Sequence, residues 1–390
     1  MSVSARWTAV LDELRSTGRH RSLRPPAGVD FSSNDYLGYA HVGWVERSEA
    51  HQRLPALVGL APLDPPYVRT GASSRLLRGN HPIWEEVESA LAEWHRTESV
   101  LMMTSGYSTN EGLLSTIIEP GDWVATDELV HASIIDGLRL CRPERVRFRH
   151  NDLSHLEEAI KLSRERERAA SGRQHFVITE SLFSMDGDLA PLPELLDLAE
   201  RFGAHVIVDE AHSTGCYGPR GSGCVDALGL RRRVLATVHT GGKALGVMGA
   251  YVCGSRLLKE LLVNRCRHLI YTTALPPAVG AWWLDMLARV KADDDGRQRL
   301  HANAAKFRGA LADHGIRAVG TEYVVPVLAG DDERAVRVAG RLQEQAFDVR
   351  AIRPPSVPAG TSRLRISVHA DHKPDVLDRL AAAVAEAMKA

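Results

Sequence analysis

One lysine sits in a glycine-rich turn, His239-Thr240-Gly241-Gly242-Lys243-Ala244-Leu245-Gly246, a strand–helix–strand unit after an acidic strand end, Val208-Asp209-Glu210-Ala211-His212. A lysine amine held in a closed pocket is a nucleophile toward an aldehyde, and a carboxylate facing a pyridine nitrogen keeps that nitrogen protonated. Lys243 and Asp209 suit those two tasks for pyridoxal 5'-phosphate (PLP). Two opposite charges about 4 Å apart at an effective dielectric near 20 attract by on the order of 4 kcal/mol, enough to make the ring an electron sink. The ordinary alternative is a solvated surface lysine, and it is the constellation that favours chemistry. Val208 to His212 also spells the acidic box of DEAH helicases, which requires a phosphate-binding Gly-x-x-x-x-Gly-Lys-Ser/Thr elsewhere; no Gly-Lys-Ser/Thr occurs in the chain.

These residues need strands to carry them. His205 to Val208 and Val234 to Val238 are short, β-branched, apolar runs of the kind buried on both faces of a parallel sheet, where ligands gather at the C-terminal strand ends. Ser99 to Met103, Asp122 to Thr126, Arg145 to Arg149 and Phe176 to Glu180 read as further strands, alternating with helical segments such as the one that carries Ile83, Trp84, Val87, Leu91 and Trp94. The expectation is an α/β fold with a mostly parallel sheet and helices on both faces. Thr104 to Asn110 runs from a strand into a helix, a junction at which free N–H groups and the helix dipole favour a phosphate, although a plain turn is the ordinary reading. His131 lies at another strand-to-helix junction, as a pocket residue or a cap. A short amphipathic helix with Trp7, Val10, Leu11 and Leu14 opens the chain, and residues 43 to 66, punctuated by Pro55, Pro62, Pro65 and Pro66, read as a surface insertion. After Pro277 the pattern shifts to long helices with strands at Tyr323 to Leu328 and Leu364 to Val368. Three regions are expected: 1–68 as helix, arm and insertion, 69–275 as the large domain, and 276–390 as the small C-terminal domain.

The 390 residues, 44% of them apolar, can bury a sizeable core. Lysine and arginine number 48 against 49 acidic residues, so neither nucleic acid nor an anionic membrane is expected as partner. Five scattered cysteines form no Cys-x-x-Cys pair and no metal-ligand spacing, and no metal is expected. The amino-terminal stretch lacks an apolar signal core and no run approaches about 18 apolar residues, which gives the expectation of a cytoplasmic protein.

Ser33-Asn34-Asp35-Tyr36-Leu37-Gly38, Ser74-Arg75-Leu76-Leu77, Thr104 to Tyr107, Asp127 to Ser133, Thr179 to Asp188, Val208 to Gly215, Thr240 to Gly246, His268 to Pro277 and Pro358 to Arg365 together resemble the α-oxoamine synthases. These are PLP enzymes of fold type I, and the likeness is greatest to the branch that forms 8-amino-7-oxononanoate for biotin. The resemblance implies a decarboxylative condensation of L-alanine with a pimeloyl thioester, carried on coenzyme A or acyl carrier protein, in a homodimer. Glycine C-acetyltransferase, 5-aminolevulinate synthase, a secondary-metabolite relative, or a binding protein inactivated by the insertion are the alternatives. It further implies Lys243 as the cofactor-linked lysine, Asp209 at the pyridine nitrogen, His212 at the ring oxygen and His131 stacked on the ring. The phosphate falls to Gly106, Tyr107 and Thr240, with Thr272 and Thr273 from a second subunit. Glu180 and Ser184 line the cofactor, and Asn34, Arg365 and Arg75 meet the substrates. Arg363 and Arg365 share one side of a strand at period two, so alternation alone does not separate them; the resemblance selects Arg365.

Overall fold

The computed structural model describes residues 3–17, 19–20, 27–39, 73–166 and 173–389. The expected insertion at 43–66 lies outside the described residues. The chain forms two compact units: Leu37–Phe183 with Leu189–Arg297, and Met1–Tyr36 with Ser184–Asp188 and Gln298–Ala390.

In the larger unit, strands β2 (Ser99–Met103), β3 (Trp123–Asp127), β4 (Glu144–Phe148), β5 (His175–Glu180), β6 (His205–Asp209), β7 (Ala236–Thr240) and β8 (Ala250–Gly254) form one sheet in the order β2-β8-β7-β6-β5-β3-β4. Strands β3 to β7 pair in parallel, and β8 runs antiparallel to both its neighbours. Val177, Ile178, Val206, Ile207, Val208, Ala236 and Val238 are buried, as expected of strands covered on both faces. Each fully buried Val or Ile stabilises the sheet by about 1.5–3 kcal/mol. The mostly parallel sheet expected from sequence is present, with two adjustments. Strand β7 begins at Ala236, not Val234, and takes in His239 and Thr240, so only Gly241 and Gly242 separate its end from Lys243. Strand β8 was not anticipated: Ala250-Tyr251-Val252-Cys253-Gly254 is short and flanked by glycine, and no period separates it from a loop.

In the smaller unit, β9 (Val324–Gly330), β11 (Arg350–Ile352) and β12 (Ser362–Ser367) form an antiparallel sheet in the order β11-β12-β9. Two residues near the amino terminus, β1 (Val29–Asp30), pair in parallel with β10 (Phe347–Asp348), so the segment before the Asn34 motif is tied to the C-terminal third of the chain. The opening helix spans Val3–Ser16, with Trp7, Val10 and Leu11 exposed.

Candidate active site

Three neighbouring strands of the larger unit end at one cavity. Register pairs Glu180 of β5 with Asp209 of β6, and Asp209 with Val238 of β7, so the ends of all three strands and the turn that follows β7 face the same opening. The cavity, about 190 Å³, is lined by Gly106, Tyr107, Asn110, His131, Glu180, Asp209, His212, Thr240 and Lys243 among others. Lys243 Nζ is 2.8 Å from His212 Nε2, and His212 is buried just beyond the acidic strand end. Asp209, also buried, accepts from the backbone N–H of Ala211 at Oδ1 (2.9 Å) and from Asn110 Nδ2 at Oδ2 (2.8 Å).

The helix Gly106–Ile117 begins at the same cavity. Its N-cap Ser105 accepts from the N–H of Ser108 through its side chain, while the first helical N–H groups, those of Gly106 and Tyr107, have no acceptor within the helix. A methyl group on Gly106 would lie 3.6 Å from Thr240 Oγ1, which places a hydroxyl beside those N–H groups. His131 caps a second helix, Ala132–Cys141, by accepting the N–H of Ser133 at Nδ1 (3.3 Å). The protein packed around the imidazole lowers its pKa; Asp209 opposes that shift and Lys243 adds to it. The Tyr107 ring meets His131 edge-on at 5.9 Å, and the Tyr107 hydroxyl bonds Asp136.

Glu180 is buried beside Asp209 and accepts the backbone N–H of His131 at 2.6 Å. Burial pushes its carboxyl up to about 8, the charge of Asp209 adding to the shift while Lys243 and the His131 N–H resist it. A pKa raised on folding contributes stability that is full below the unfolded value and is lost as pH climbs through the folded one. The cofactor-free protein should therefore lose thermal stability between about pH 4.5 and pH 8. Glu180→Gln should flatten part of that slope, the remainder coming from Glu210, which burial pushes up to about 7. An unchanged slope of Tm against pH in the variant would mean that Glu180 is ionised throughout.

A lysine beside an imidazole, a buried carboxylate and a helix N-terminus with a hydroxyl are the donor set that PLP needs for its aldehyde, its pyridine nitrogen and its phosphate, so the residues present fit the cofactor. The aminotransferase class I and II profile matches residues 27–384. The chain belongs to that family. Among class I and II aminotransferase relatives, an 8-amino-7-oxononanoate synthase from Chlorobaculum parvum is 40% identical over 95% of each chain. A serine palmitoyltransferase variant from S. paucimobilis with a bound PLP–myriocin adduct superimposes with a TM-score of 0.84 at 28% identity, covering 100% of this chain and 99% of that one. An 8-amino-7-oxononanoate synthase from Francisella tularensis gives a TM-score of 0.73 at 25% identity, covering 93% and 98%. The resemblance to the α-oxoamine synthases and the fold type I expectation are both borne out.

Of the expected site residues, Gly106, Tyr107, His131, Glu180, Asp209, His212, Thr240 and Lys243 line the one cavity. Thr272, Thr273 and Arg75 line a different one, also in the larger unit, with Trp84 and His268. There Thr273 bridges to Ser74, and Arg75 holds Asn80 through Nε and Nη2 and pairs with Glu88. In the smaller unit, Arg365 donates to the Ser184 carbonyl (2.6 Å), Ser367 Oγ (3.0 Å), Asn34 Oδ1 (2.8 Å) and Tyr36 Oη (3.3 Å). Arg363 instead pairs with Asp186 at 2.7 Å. Among the described residues Arg365 is buried with neutral acceptors and no carboxylate, the state of a guanidinium still able to take an anion, whereas Arg363 is already neutralised. That difference favours Arg365, the one the resemblance selects, where strand alternation left both open.

Proposed function

We propose that this chain catalyses the PLP-dependent decarboxylative condensation of L-alanine with a pimeloyl thioester to give 8-amino-7-oxononanoate, a step of biotin synthesis. The observation that carries the reading is the 40% identity over 95% of both chains with a synthase of that name, joined to a cavity in which Lys243, His212 and Asp209 meet. When bound, PLP supplies an aldehyde for the amines and a pyridinium ring into which electrons at the amino-acid Cα spread. Lys243 Nζ would hold the cofactor and, once freed, would take the α-proton of alanine and later return a proton; a positioned base of this kind contributes about 10²–10⁴-fold. His212 Nε2, 2.8 Å from Lys243 Nζ, orients that amine and serves the ring oxygen. Asp209 would keep the pyridine nitrogen protonated, His131 would stack on the ring, and Glu180 and Ser184 would line it. The N–H groups of Gly106 and Tyr107 and the hydroxyl of Thr240 would take the phosphate.

Arg365 with Asn34 grips the carboxylate of alanine, and Arg75, with donors left beyond Asn80 and Glu88, serves substrate as well. Arg365→Lys replaces a planar two-bond clamp with a point charge. The KM for alanine should rise roughly tenfold or more, with little change for the thioester. A selective alanine defect in Arg363→Lys, with Arg365→Lys behaving as wild type, would reverse the assignment.

The protein is proposed to act as a homodimer, with Thr272 and Thr273 of each subunit completing the phosphate site of the other. Both threonines lie outside the Lys243 cavity of their own chain, and Tyr271 and Leu77, beside the Ser74–Thr273 bridge, are 72% and 76% exposed. Light scattering should give twice the chain mass, and a fully active monomer at assay concentration would sink the arrangement. Among the described residues no helix is long and apolar enough to cross a membrane; placement in the cytoplasm is part of the proposal. The function is tested by CO2 release from purified protein given L-alanine with pimeloyl-CoA or pimeloyl-acyl carrier protein. Glycine with acetyl-CoA and L-serine with palmitoyl-CoA serve as competitors. A higher kcat/KM for either competitor would replace the assignment.

A further inference from the structure

Asn110 has no role in the chemistry derived so far, yet it sits in the interior of a helix that opens on the cavity, where asparagine is a poor helix former. It is buried, and its one amide nitrogen makes two bonds: 2.8 Å to Asp209 Oδ2 and 2.9 Å to Ser133 Oγ. Ser133 Oγ in turn lies 2.8 Å from His131 Nδ1, and the Ser133 backbone N–H reaches the same nitrogen at 3.3 Å.

The directions of these bonds are fixed from both ends. An ionised carboxylate can only accept, so the Asn110 group facing Asp209 is its NH2. The second amide hydrogen then goes to Ser133 Oγ, and the hydroxyl proton of Ser133 is left for His131 Nδ1. A backbone N–H can only donate, so the Ser133 N–H independently requires a lone pair at Nδ1. His131 is thereby neutral, with its proton on Nε2. The cap position reinforces this, because the positive end of the helix Ala132–Cys141 disfavours an imidazolium.

We propose that Asn110 is a positioning residue whose single amide holds the Asp209 carboxylate and, through the Ser133 hydroxyl, locks His131 as the neutral Nε2–H tautomer. One side chain thus serves two groups: it holds an oxygen of the Asp209 carboxylate, and through Ser133 it keeps the imidazole neutral, with a flat, uncharged face and one donor. The titratable groups packed against His131 are Asp209, which favours its protonation, Lys243, which opposes it, Glu180, whose carboxyl accepts the His131 backbone N–H, and Tyr107, whose ring meets it edge-on. A histidine follows its nearest hydrogen-bond donors within such a setting.

The inference rests on the cavity being the cofactor site, and borohydride labelling of Lys243 in the same preparations reports on that reading separately. The test is the 15N imidazole spectrum of the PLP-loaded enzyme, with the His131 signal identified by its loss in His131→Asn, followed through a pH titration and repeated on enzyme stripped of PLP. Wild type should show hydrogen on Nε2 and a bare Nδ1, with no titration between about pH 6 and pH 8. Asn110→Leu frees the Ser133 hydroxyl to accept, and the His131 pKa should rise by about one unit, the worth of one lost hydrogen bond. Ser133→Ala should give a similar rise, and the double variant no more than either alone, because both cut one relay. If Asn110→Leu is insoluble, Asn110→Ala, which introduces no bulk, takes its place. A His131 titration unmoved by the Asn110 substitution, additive shifts in the double variant, or a wild-type His131 protonated on Nδ1 would each overturn the proposal, whatever the activity of the variants.

Discussion

Lys243→Ala should abolish turnover, by at least about 10⁴-fold, and should abolish the borohydride-fixed PLP label with it. Two losses combine in the proposed reaction: the amine that holds the cofactor and the base that moves the α-proton. The geometry makes the prediction sharp, because among the described residues no other lysine lines the cavity and His212 Nε2 is set 2.8 Å from this one amine. The fold should survive, since Lys243 is only half-buried in the turn after β7 and the sheet beneath is held by Val206, Val208, Ala236 and Val238. A small exogenous amine such as methylamine should restore part of the proton transfer, with Asp209 and His212 still in place. A labelled lysine recovered from reduced Lys243→Ala protein would show that another residue holds PLP.

The sheet and most of the cavity were legible in the sequence for a physical reason. Parallel strands covered on both faces must be continuous apolar runs, so Phe176 to Ile178 and Val206 to Val208 stood out, and polar residues at their ends, Glu180 and Asp209, marked the cavity. What was not legible depends on contacts made far along the chain. The pairing of Val29–Asp30 with Phe347–Asp348 involves two residues on each side, too few for any period to register. Strand alternation alone left Arg363 and Arg365 open; the resemblance selected Arg365, and the ion pair of Arg363 with Asp186, remote in sequence from either, favours that selection. Asn110 was visible only as a polar residue one helical turn after Gly106, a spacing that puts the two on one face and that could have flagged it.

Asp209→Asn keeps the size and most of the shape of the side chain while removing the charge, so it isolates the electrostatic share of catalysis. The carboxylate is held by two donors, the Ala211 N–H and the Asn110 amide, and is buried at the end of β6. With asparagine in its place one amide NH2 must face another, so the Asn110 bond is lost or one of the two amides turns over. Loss of an attraction on the order of 4 kcal/mol at the pyridine nitrogen corresponds to about 10³-fold in kcat. The PLP label on Lys243 should persist, because in the proposed arrangement attachment uses the lysine and the phosphate-binding donors at Gly106 and Thr240 rather than the ring nitrogen. Asp209→Glu, which keeps the charge on a longer stem, should recover much of the rate if charge is the cause. A kcat within about tenfold of wild type for Asp209→Asn, with the label intact, would show that the ring nitrogen does not depend on this carboxylate, and the electron-sink role would have to be sought in another group of the cavity.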